Sequence, residues 1–473
     1  MSTSRLALDR HVALVGFMGA GKSTLGQQVA QRLGRTLADV DELVAAGAGT
    51  TIAAIFETQG EAEFRRREEE TAAGVLDGET PKVVVLGGGA LGSERTRALL
   101  RDRAVTVWLD IDVETAWERS RTSDRPLARD ESVFRRLYEE RRRTYAEAAD
   151  AIARDAADAV LAAAGIVVER GAMARLGELV PGDGAVALVS DPHVAGIHGA
   201  DAQVALGQRL ASTHELPLGE EAKTIGALER LWRELRIGRD GTILALGGGC
   251  TTDAAGFAAS VYLRGCAWVP MPTTLLAQVD AAVGGKTAID LSEGKNLVGA
   301  FHWPVRTVID PALLATLPER ERREGLAEVV KTGLLAGEPL WELPEDELVR
   351  RCAAFKAAVC LRDPKDDGER AVLNLGHTFA HALEAAAGYE GVTHGRAVAL
   401  GLVAALRLSG RDTSPVEELL RPEPARVDRE QAWTALGRDK KKGLVLLGED
   451  GPRWNVQVPE ADVRRALDSL IAG

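Results

Sequence analysis

The run Gly16-Phe-Met-Gly-Ala-Gly-Lys22-Ser23 fits the pattern GxxxxGK[ST]. Glycines in such a loop let backbone N–H groups converge on phosphate oxygens. A nucleotide is therefore expected against Gly19, Ala20, Gly21, Lys22, Ser23 and Thr24, with Lys22 reaching the outer phosphates and Ser23 holding Mg²⁺. Two carboxylates follow in Leu37-Ala-Asp39-Val-Asp41, and their spacing predicts one side of an extended segment. Asp39 can then support the Mg²⁺ shell and Asp41 can accept from a substrate hydroxyl; a solvated turn at a strand end is the plainer alternative. The run Glu63-Phe64-Arg65-Arg66-Arg67-Glu68-Glu69 reads, on a helix, as a solvated face.

A second concentration of chemistry lies towards the other end. Three of the eight histidines, His377, His381 and His394, fall close together. His377 and His381 are four apart, so a helix puts them on one face. Gly376 predicts the start of that helix, which sets His377 at the positive end of the dipole and favours a neutral ring, as a metal ligand needs. Upstream, Glu328 and Lys331 share a helical stretch. One Glu with two His is a common catalytic zinc set with an open position. Histidines hydrogen-bonded inside a helical core are the alternative. Gly247-Gly-Gly-Cys-Thr-Thr-Asp253 is glycine-rich between a strand and a helix, without being GxGxxG. Pro272-Thr-Thr274, Asp280, Gly284-Gly-Lys286-Thr287 and Gly294-Lys295-Asn296 form a polar string. Such a string is costly in a core and reads as site lining.

The elements that must hold these groups alternate. Val12–Val15, Val83–Leu86 and Val105–Leu109 read as strands, and Ser23–Leu33 as a helix stopped by Gly34. Residues near 145–170 are Ala-rich and read as helical. Ala185–Val189 and Thr242–Leu246 begin a second series of strands, and after Pro311 long helical segments run to about residue 440. The fold class expected is α/β: a P-loop domain with a parallel sheet covered on both faces (residues 1–165), an α/β nucleotide-binding part (166–310) and a mainly helical metal-binding part (311–473).

The net charge of −12 leaves no excess of Lys and Arg for a nucleic-acid backbone, yet allows a locally basic pocket for a small anion. Aromatic residues are 4%, so Ala, Val and Leu must fill the cores. Cys250, Cys266, Cys352 and Cys360 form no CxxC pair, which argues against a disulfide framework or thiolate zinc site. The first residues carry charges where a signal peptide needs an apolar run, and no stretch is long enough to span a bilayer. A cytoplasmic enzyme acting on small molecules is expected, with no nucleic-acid or membrane partner.

GFMGAGKSTLG, LADVDELV, IFETQGEAEFRRREEE, LGGGA and DRPL, in that order over about residues 10–165, resemble shikimate kinase. The resemblance implies ATP and Mg²⁺, with phosphorylation of shikimate to shikimate 3-phosphate. It implies shikimate binding by Asp41, Arg65, Gly88 and Arg141, the two arginines taking the carboxylate through the planar fork that suits it. Arg125 corresponds to that family's lid arginine, which would bind ATP and act with Lys22 and Mg²⁺ in catalysis. Leu37 stands where the family usually has an aromatic, and Arg141-Arg-Arg-Thr-Tyr145 stands for its Arg-x-Pro-x-Tyr, with Arg142 beside Arg141.

GGGCTTDAAGFAASVYLRG, MPTTLLAQVDAAVGGKTAID, GKNLVGAFHWP, TLPERERREGLAEVVKTG, LNLGHTFAHALE, THGRAVALG and RDKKKG resemble 3-dehydroquinate synthase over about residues 170–473. The resemblance implies Zn²⁺, or another divalent metal such as Co²⁺, on Glu328, His377 and His394. It implies NAD on Gly219, Glu220, Lys223, Gly249, Cys250, Thr251, Thr252, Asp253, Thr273, Thr274, Lys286, Lys295, Leu313, Leu314, Ala315 and Thr316. Arg264, Asp280, Asn296, Lys356 and Arg370 would bind the substrate, and Lys286, Lys331, His381 and Lys441 would take catalytic parts. The reaction implied converts 3-deoxy-D-arabino-heptulosonate 7-phosphate to 3-dehydroquinate with release of phosphate. Oxidation of one hydroxyl by NAD acidifies the neighbouring C–H, phosphate leaves, the ketone is reduced again and the ring closes. A homodimer through this half is also implied. Here the family's first strands look trimmed, Ala380 replaces a glycine, and Pro364 and Glu369 alter a loop.

Three rivals remain from the sequence. A metal-dependent polyol dehydrogenase shares the nicotinamide-plus-metal parts, another small-molecule kinase such as a gluconate kinase shares the P-loop, and one half can serve only as an interaction domain. The Lys and Arg set favours a phosphorylated acid over a neutral polyol.

Overall fold

A computed structural model of the chain describes residues 7–121, 130–388, 391–439 and 443–472. Contacts divide it into two compact units, residues 1–166 and 167–473.

In the first unit the β-branched runs form strands and the amphipathic runs cover them. The order is β1 (His11–Gly16), α1 (Lys22–Leu33), β2 (Leu37–Asp39), α2 (Val40–Ala48), α3 (Ile52–Leu76), β3 (Val83–Val85), α4 (Glu94–Arg103), β4 (Ala104–Leu109), α5 (Val113–Ser120), α6 (Glu131–Ala148), β5 (Ala151–Ile152) and α7 (Ala156–Ala164). The sheet is parallel, in the order β2-β3-β1-β4-β5. Every residue of β1 and β4 is buried, as strands with both faces covered require. The chain order reverses beside β1, so the crevice at its carboxyl end is the binding place for a ligand.

Two expectations need correction. Asp39 and Asp41 do not share one extended segment. Asp39 ends β2 and caps α2, accepting the Asp41 N–H at 3.1 Å, and Asp41 is already helical. The cap satisfies an orphan helix donor and ends the strand early. The Ala-rich stretch is not one helix either: α6 stops, β5 pairs in parallel with β4, and Asp155 then caps α7 by accepting from the N–H groups of Ala157 and Asp158.

The second unit contains β6 (Ile166–Val168), α8 (Leu176–Leu179), β7 (Val186–Ser190), α9 (Pro192–Val194), α10 (Ala200–Leu206), β8 (Leu210–Glu215), α11 (Ile225–Glu234), β9 (Thr242–Gly247), α12 (Gly249–Val261), β10 (Ala267–Pro272), β11 (Lys286–Leu291), β12 (Gly294–Phe301) and β13 (Thr307–Ile309). Helices then dominate: α13 (Glu319–Ala336), α14 (Glu345–Arg362), α15 (His377–Ala386), α16 (His394–Leu408), α17 (Ser414–Leu420) and α18 (Arg429–Asp439), with the hairpin β14 (Leu444–Gly448) and β15 (Gly451–Val456) and then α19 (Glu460–Asp468). A parallel sheet runs β10-β9-β7-β8, and β11 with β12 forms an antiparallel hairpin. The polar string around residues 284–301 folds as that hairpin, which the sequence reading left without a strand. Gly249–Asp253, expected as a loop, is the first turn of α12.

Among the described residues no helix is long and apolar enough to cross a membrane.

Candidate active sites

In the first unit, β1 delivers the chain into the glycine loop, and Gly21, at φ +84°, turns it into α1. That left-handed conformation suits glycine and starts the helix with its N–H groups facing the loop. Lys22 Nζ donates to the carbonyls of Gly16 at 2.8 Å and Phe17 at 3.1 Å, so it lies folded over the cradle. Ser23 Oγ donates to Asp39 Oδ2 at 2.7 Å. A hydroxyl beside a carboxylate is an oxygen donor set that fits Mg²⁺.

A cavity of about 690 Å³ joins this cradle to Asp41, Arg65, Glu68, Gly88 and Arg141. The bend Gly87–Gly89 forms its floor. A Cβ at Gly89 would stand 2.5 Å from the Arg65 guanidinium, and one at Gly88 would stand 3.3 Å from Arg141 Nη1. Bare backbone therefore lets both guanidinium groups come down onto the floor. Arg141 also lies 5.8 Å over the Phe17 ring, whereas Arg142 turns outward to Asp110 at 3.3 Å. Of the two neighbours, Arg141 is the one in the cavity.

Glu68 was read as part of a solvated face, and here the structure differs. Its neighbour Arg66 is exposed, but Glu68 is 2% exposed and takes Arg65 Nη1 at 2.6 Å. Burial pushes its carboxyl above the usual range, against the pull of Arg65. In RRREEE only the three-residue offset from Arg65 marks it, and Glu69 and Glu70 share that offset from Arg66 and Arg67. Arg125 lies outside the described residues.

In the second unit, α13, α15 and α16 bring Glu328, His377 and His394 together, with one ligand atom of each within 4.8 Å of the others. Both His377 Nε2 and His394 Nε2 lie 3.3 Å from Glu328 Oε1. Their Nδ1 atoms face outward, His377 towards the Leu375 carbonyl at 3.3 Å and His394 towards Glu384 Oε1 at 3.1 Å. With a cation on the cluster, acceptors at Nδ1 would hold the proton there and leave Nε2 to donate its lone pair, the arrangement of metal-bound histidines. Burial opposes a charge on His394, yet Glu328 and Glu384 pull it up to about 10. The carboxylate of Glu328 and the two imidazoles form a donor set that fits a divalent cation. Close packing sets the helices: a Cβ at Gly401 of α16 would stand 2.0 Å from the Gly376 carbonyl. Glu384 was missed by the sequence reading, although His377, His381 and Glu384 run i, i+4, i+7 along one helix face.

A chain of charges leads away from the cluster. Buried Lys331 pairs with Glu328 and lies 3.5 Å from Asp280 Oδ1. Lys356 Nζ lies 2.9 Å from Asp280 Oδ2. Arg370 is 3% exposed, and a Cβ at Gly284 would stand 2.6 Å from its Nη2. Lys286 pairs with Asp366 at 2.6 Å; burial, and after it the charges of Arg370 and Lys356, hold its pKa down against that partner. Four cations therefore lie along this chain, interleaved with Glu328, Asp280 and Asp366, and a substrate with two acidic groups would compete with those carboxylates for them.

The nucleotide side adjoins this. Lys223, 4% exposed, donates to Asp253 Oδ2 at 3.1 Å and to Asn296, while Lys295 pairs with Glu220 at 2.6 Å. Burial raises the Asp253 carboxyl to about 6 in spite of Lys223. Gly248 and Gly249 open α12 at the carboxyl end of β9, and a Cβ on Gly248 would crowd Thr274 at 3.2 Å. Cys250, Thr251 and Thr252 follow in its first turn, and Thr273 donates its N–H to the Gly247 carbonyl at 3.0 Å. A bare helix N-terminus at a strand end fits a dinucleotide's phosphates. Gly219, at φ +60°, opens the turn that carries Glu220 and Lys223. Leu313–Thr316 forms a short helical turn after β13, where Leu313 and Leu314 are buried and Thr316 Oγ1 meets His198 at 2.9 Å.

Two expected residues stand apart. Arg264 is exposed on the turn after α12, at φ +68°, and no described hydrogen bond ties it to the buried set. His381 is exposed, with its ring 5.5 Å from that of His377. Lys441 lies outside the described residues.

Family models match in three successive stretches: shikimate kinase over residues 18–170, the N-terminal part of 3-dehydroquinate synthase over 213–324, and its C-terminal part over 325–441. A 3-dehydroquinate synthase of Bordetella pertussis is 41% identical over 327 residues, covering 61% of this chain and 91% of its own length. One from Gloeobacter violaceus is 41% identical over 347 residues, covering 64% and 96%. Among solved structures, a 2-deoxy-scyllo-inosose synthase complexed with carbaglucose-6-phosphate, NAD⁺ and Co²⁺ is 26% identical, with a TM-score of 0.58, covering 65% of this chain and 96% of that one. The 2-epi-5-epi-valiolone synthase of Streptomyces hygroscopicus subsp. jinggangensis, with NAD⁺ and Zn²⁺ bound, is 26% identical, with a TM-score of 0.56, covering 64% and 96%. From the share of the Bordetella relative covered and the three family matches in one chain, this protein belongs to the 3-dehydroquinate synthase family and carries a shikimate kinase domain ahead of it, which makes it a bifunctional enzyme of the shikimate pathway.

Proposed function

We propose that residues 1–165 phosphorylate shikimate and that residues 166–310 and 311–473 supply the nucleotide side and the metal side of the synthase. In the kinase, Arg65 and Arg141 take the substrate carboxylate, Asp41 accepts from a ring hydroxyl, and Lys22 neutralises charge on the transferred group. Ser23 and Asp39 would hold Mg²⁺, whose part is to screen phosphate charge. Arg125 is assigned the lid role by its motif.

In the synthase, Glu328, His377 and His394 would hold Zn²⁺ or Co²⁺, and the α12 N-terminus with Glu220, Lys223 and Asp253 would hold NAD. Metal and nicotinamide supply Lewis acidity and a hydride acceptor. The side chains do the rest: Lys286, Lys356 and Arg370 bind and orient the acidic ends of the substrate, and Lys331 steadies the negative charge of Glu328 and Asp280. His381, exposed beside the cluster, is placed to exchange protons with solvent. Arg264, Asn296 and Lys441 are assigned to the substrate by their motifs.

The observation that carries this reading is the Glu328–His377–His394 set standing at the head of a lysine–arginine path in the same unit as a dinucleotide cradle. The test is to assay both activities on the purified chain. Shikimate phosphorylation should need ATP. Phosphate release from the heptulosonate phosphate should need NAD while no reduced nicotinamide accumulates.

We also place the protein in the cytoplasm as a homodimer joined through the synthase half. The four free cysteines suit a reducing compartment. Leu297 and Phe301 of β12 are 58% and 53% exposed, an apolar edge that a second copy would cover. Sedimentation of the wild type against Phe301→Glu checks the dimer.

A further inference from the structure

His394 opens α16, and carboxylates face both nitrogens of its ring. Nε2 lies 3.3 Å from Glu328 Oε1 and Nδ1 lies 3.1 Å from Glu384 Oε1. The backbone beneath is held independently of the ring. The Gly395 N–H donates to Glu324 Oε2 at 2.5 Å, and a Cβ on Gly395 would stand 2.6 Å from the Glu324 Cα, so the start of α16 is pressed against α13. That contact is made through the Gly395 backbone and not through the His394 ring. Thr393 makes no side-chain cap that would steady it. Glu384 supplies the missing restraint from α15, with its side chain 13% exposed. His377 differs: the acceptor at its Nδ1 is the Leu375 backbone carbonyl, at 3.3 Å.

We infer that Glu384 is a positioning residue for the metal centre, which takes the Nδ1–H of His394 and so fixes that ring's tautomer and its aim at Glu328. The inference rests on the metal site proposed above. An ionised acceptor also makes the imidazole a stronger donor than a carbonyl does, so His394 becomes the better-held of the two histidine ligands. Glu384 does not touch the metal position itself. Its effect passes through His394.

The experiment measures Zn²⁺ affinity of the full chain stripped of metal, by competition with a chromophoric chelator, for wild type, His394→Ala, Glu384→Gln, Glu384→Ala and Glu384→Asp. The absorption spectrum of the Co²⁺-loaded forms gives a second readout. Wild type should bind one ion per chain and His394→Ala should lose it. Glu384→Gln keeps the shape and removes the charge, and should weaken binding by about tenfold, with Glu384→Ala approaching about a hundredfold. Glu384→Asp should recover part of the loss, and the Co²⁺ bands should shift in the Gln variant. Unchanged thermal midpoints of the stripped proteins exclude general unfolding; if the Ala variant unfolds, the Gln variant decides. Wild-type affinity and spectrum in Glu384→Gln, with His394→Ala inactive in binding, overturn this inference alone. Failure of the wild type to bind overturns the metal reading and this inference with it.

Discussion

Arg65 and Glu68 stand one turn apart on α3, and the guanidinium donates to the buried carboxylate at 2.6 Å. The pair lines the cavity; Nη1 is held by Glu68, while Nε and Nη2 donate to the exposed Glu61 at 3.3 and 3.2 Å, so a substrate carboxylate would take the place of Glu61 on this guanidinium.

Arg65→Lys should therefore weaken shikimate binding far more than ATP binding. An ammonium cannot hold Glu68 and a substrate carboxylate in one plane. The loss of one charge-assisted contact is about 1.5–3 kcal/mol, or roughly 10- to 150-fold in KM for shikimate. Steady-state kinetics with each substrate varied in turn checks this, and an unchanged shikimate KM removes Arg65 from the site.

Lys22→Ala should lower shikimate phosphorylation by about a hundredfold or more, since the residue lies over the phosphate cradle. Synthase turnover in the same preparation should stay at the wild-type level, because the two sites are built in separate compact units. A parallel fall in both activities would show that the sites are not independent.

Removal of metal by a chelator, or His394→Ala, should stop phosphate release and leave shikimate phosphorylation intact when Mg²⁺ is supplied. Returning Zn²⁺ or Co²⁺ to the chelated wild type should restore the reaction. Reduced nicotinamide that grows in step with substrate consumed would instead point to a polyol dehydrogenase built from the same parts.

The kinase unit should lose stability in mild acid through His11. Its Nε2 lies 3.0 Å from the Gly78 carbonyl, and its Nδ1 accepts the Lys82 N–H at 3.1 Å, so the folded ring is neutral. Burial holds its pKa below the ordinary 6.5. As pH falls below that value, the unfolded chain takes up a proton that the folded chain refuses, and the stability present at higher pH is lost until the folded pKa is passed. His11→Asn should flatten this part of the profile, read by calorimetry and by the temperature at which kinase activity is lost.

The phosphate loop was legible because its chemistry is local. Gly16 through Ser23 form strand end, cradle and helix start in one run, and neighbours in sequence suffice to build them. The proposed metal ligands Glu328, His377 and His394 were legible through motif resemblance, whereas helical spacing paired His377 with His381, which lies exposed beside the cluster. Short strands were not. The hairpin of β11 and β12 and the pairing of β5 depend on partners far along the chain, and Lys286 through Phe301 carry too little apolar alternation to announce a strand.

The sequence by itself determined which chemical groups are present and which elements alternate, because periodicity and glycine placement act within a few residues. Only the tertiary structure decided which members of a charge run face inward. Arg65 and Arg66, or Arg141 and Arg142, are interchangeable as text, and packing against Phe17 and Gly87–Gly89 separates them. It alone brought Glu384 to His394 and Glu324 to Gly395, because the approach of α13, α15 and α16 is set by bare glycines where helices touch, a contact between distant parts of the chain that no local pattern encodes.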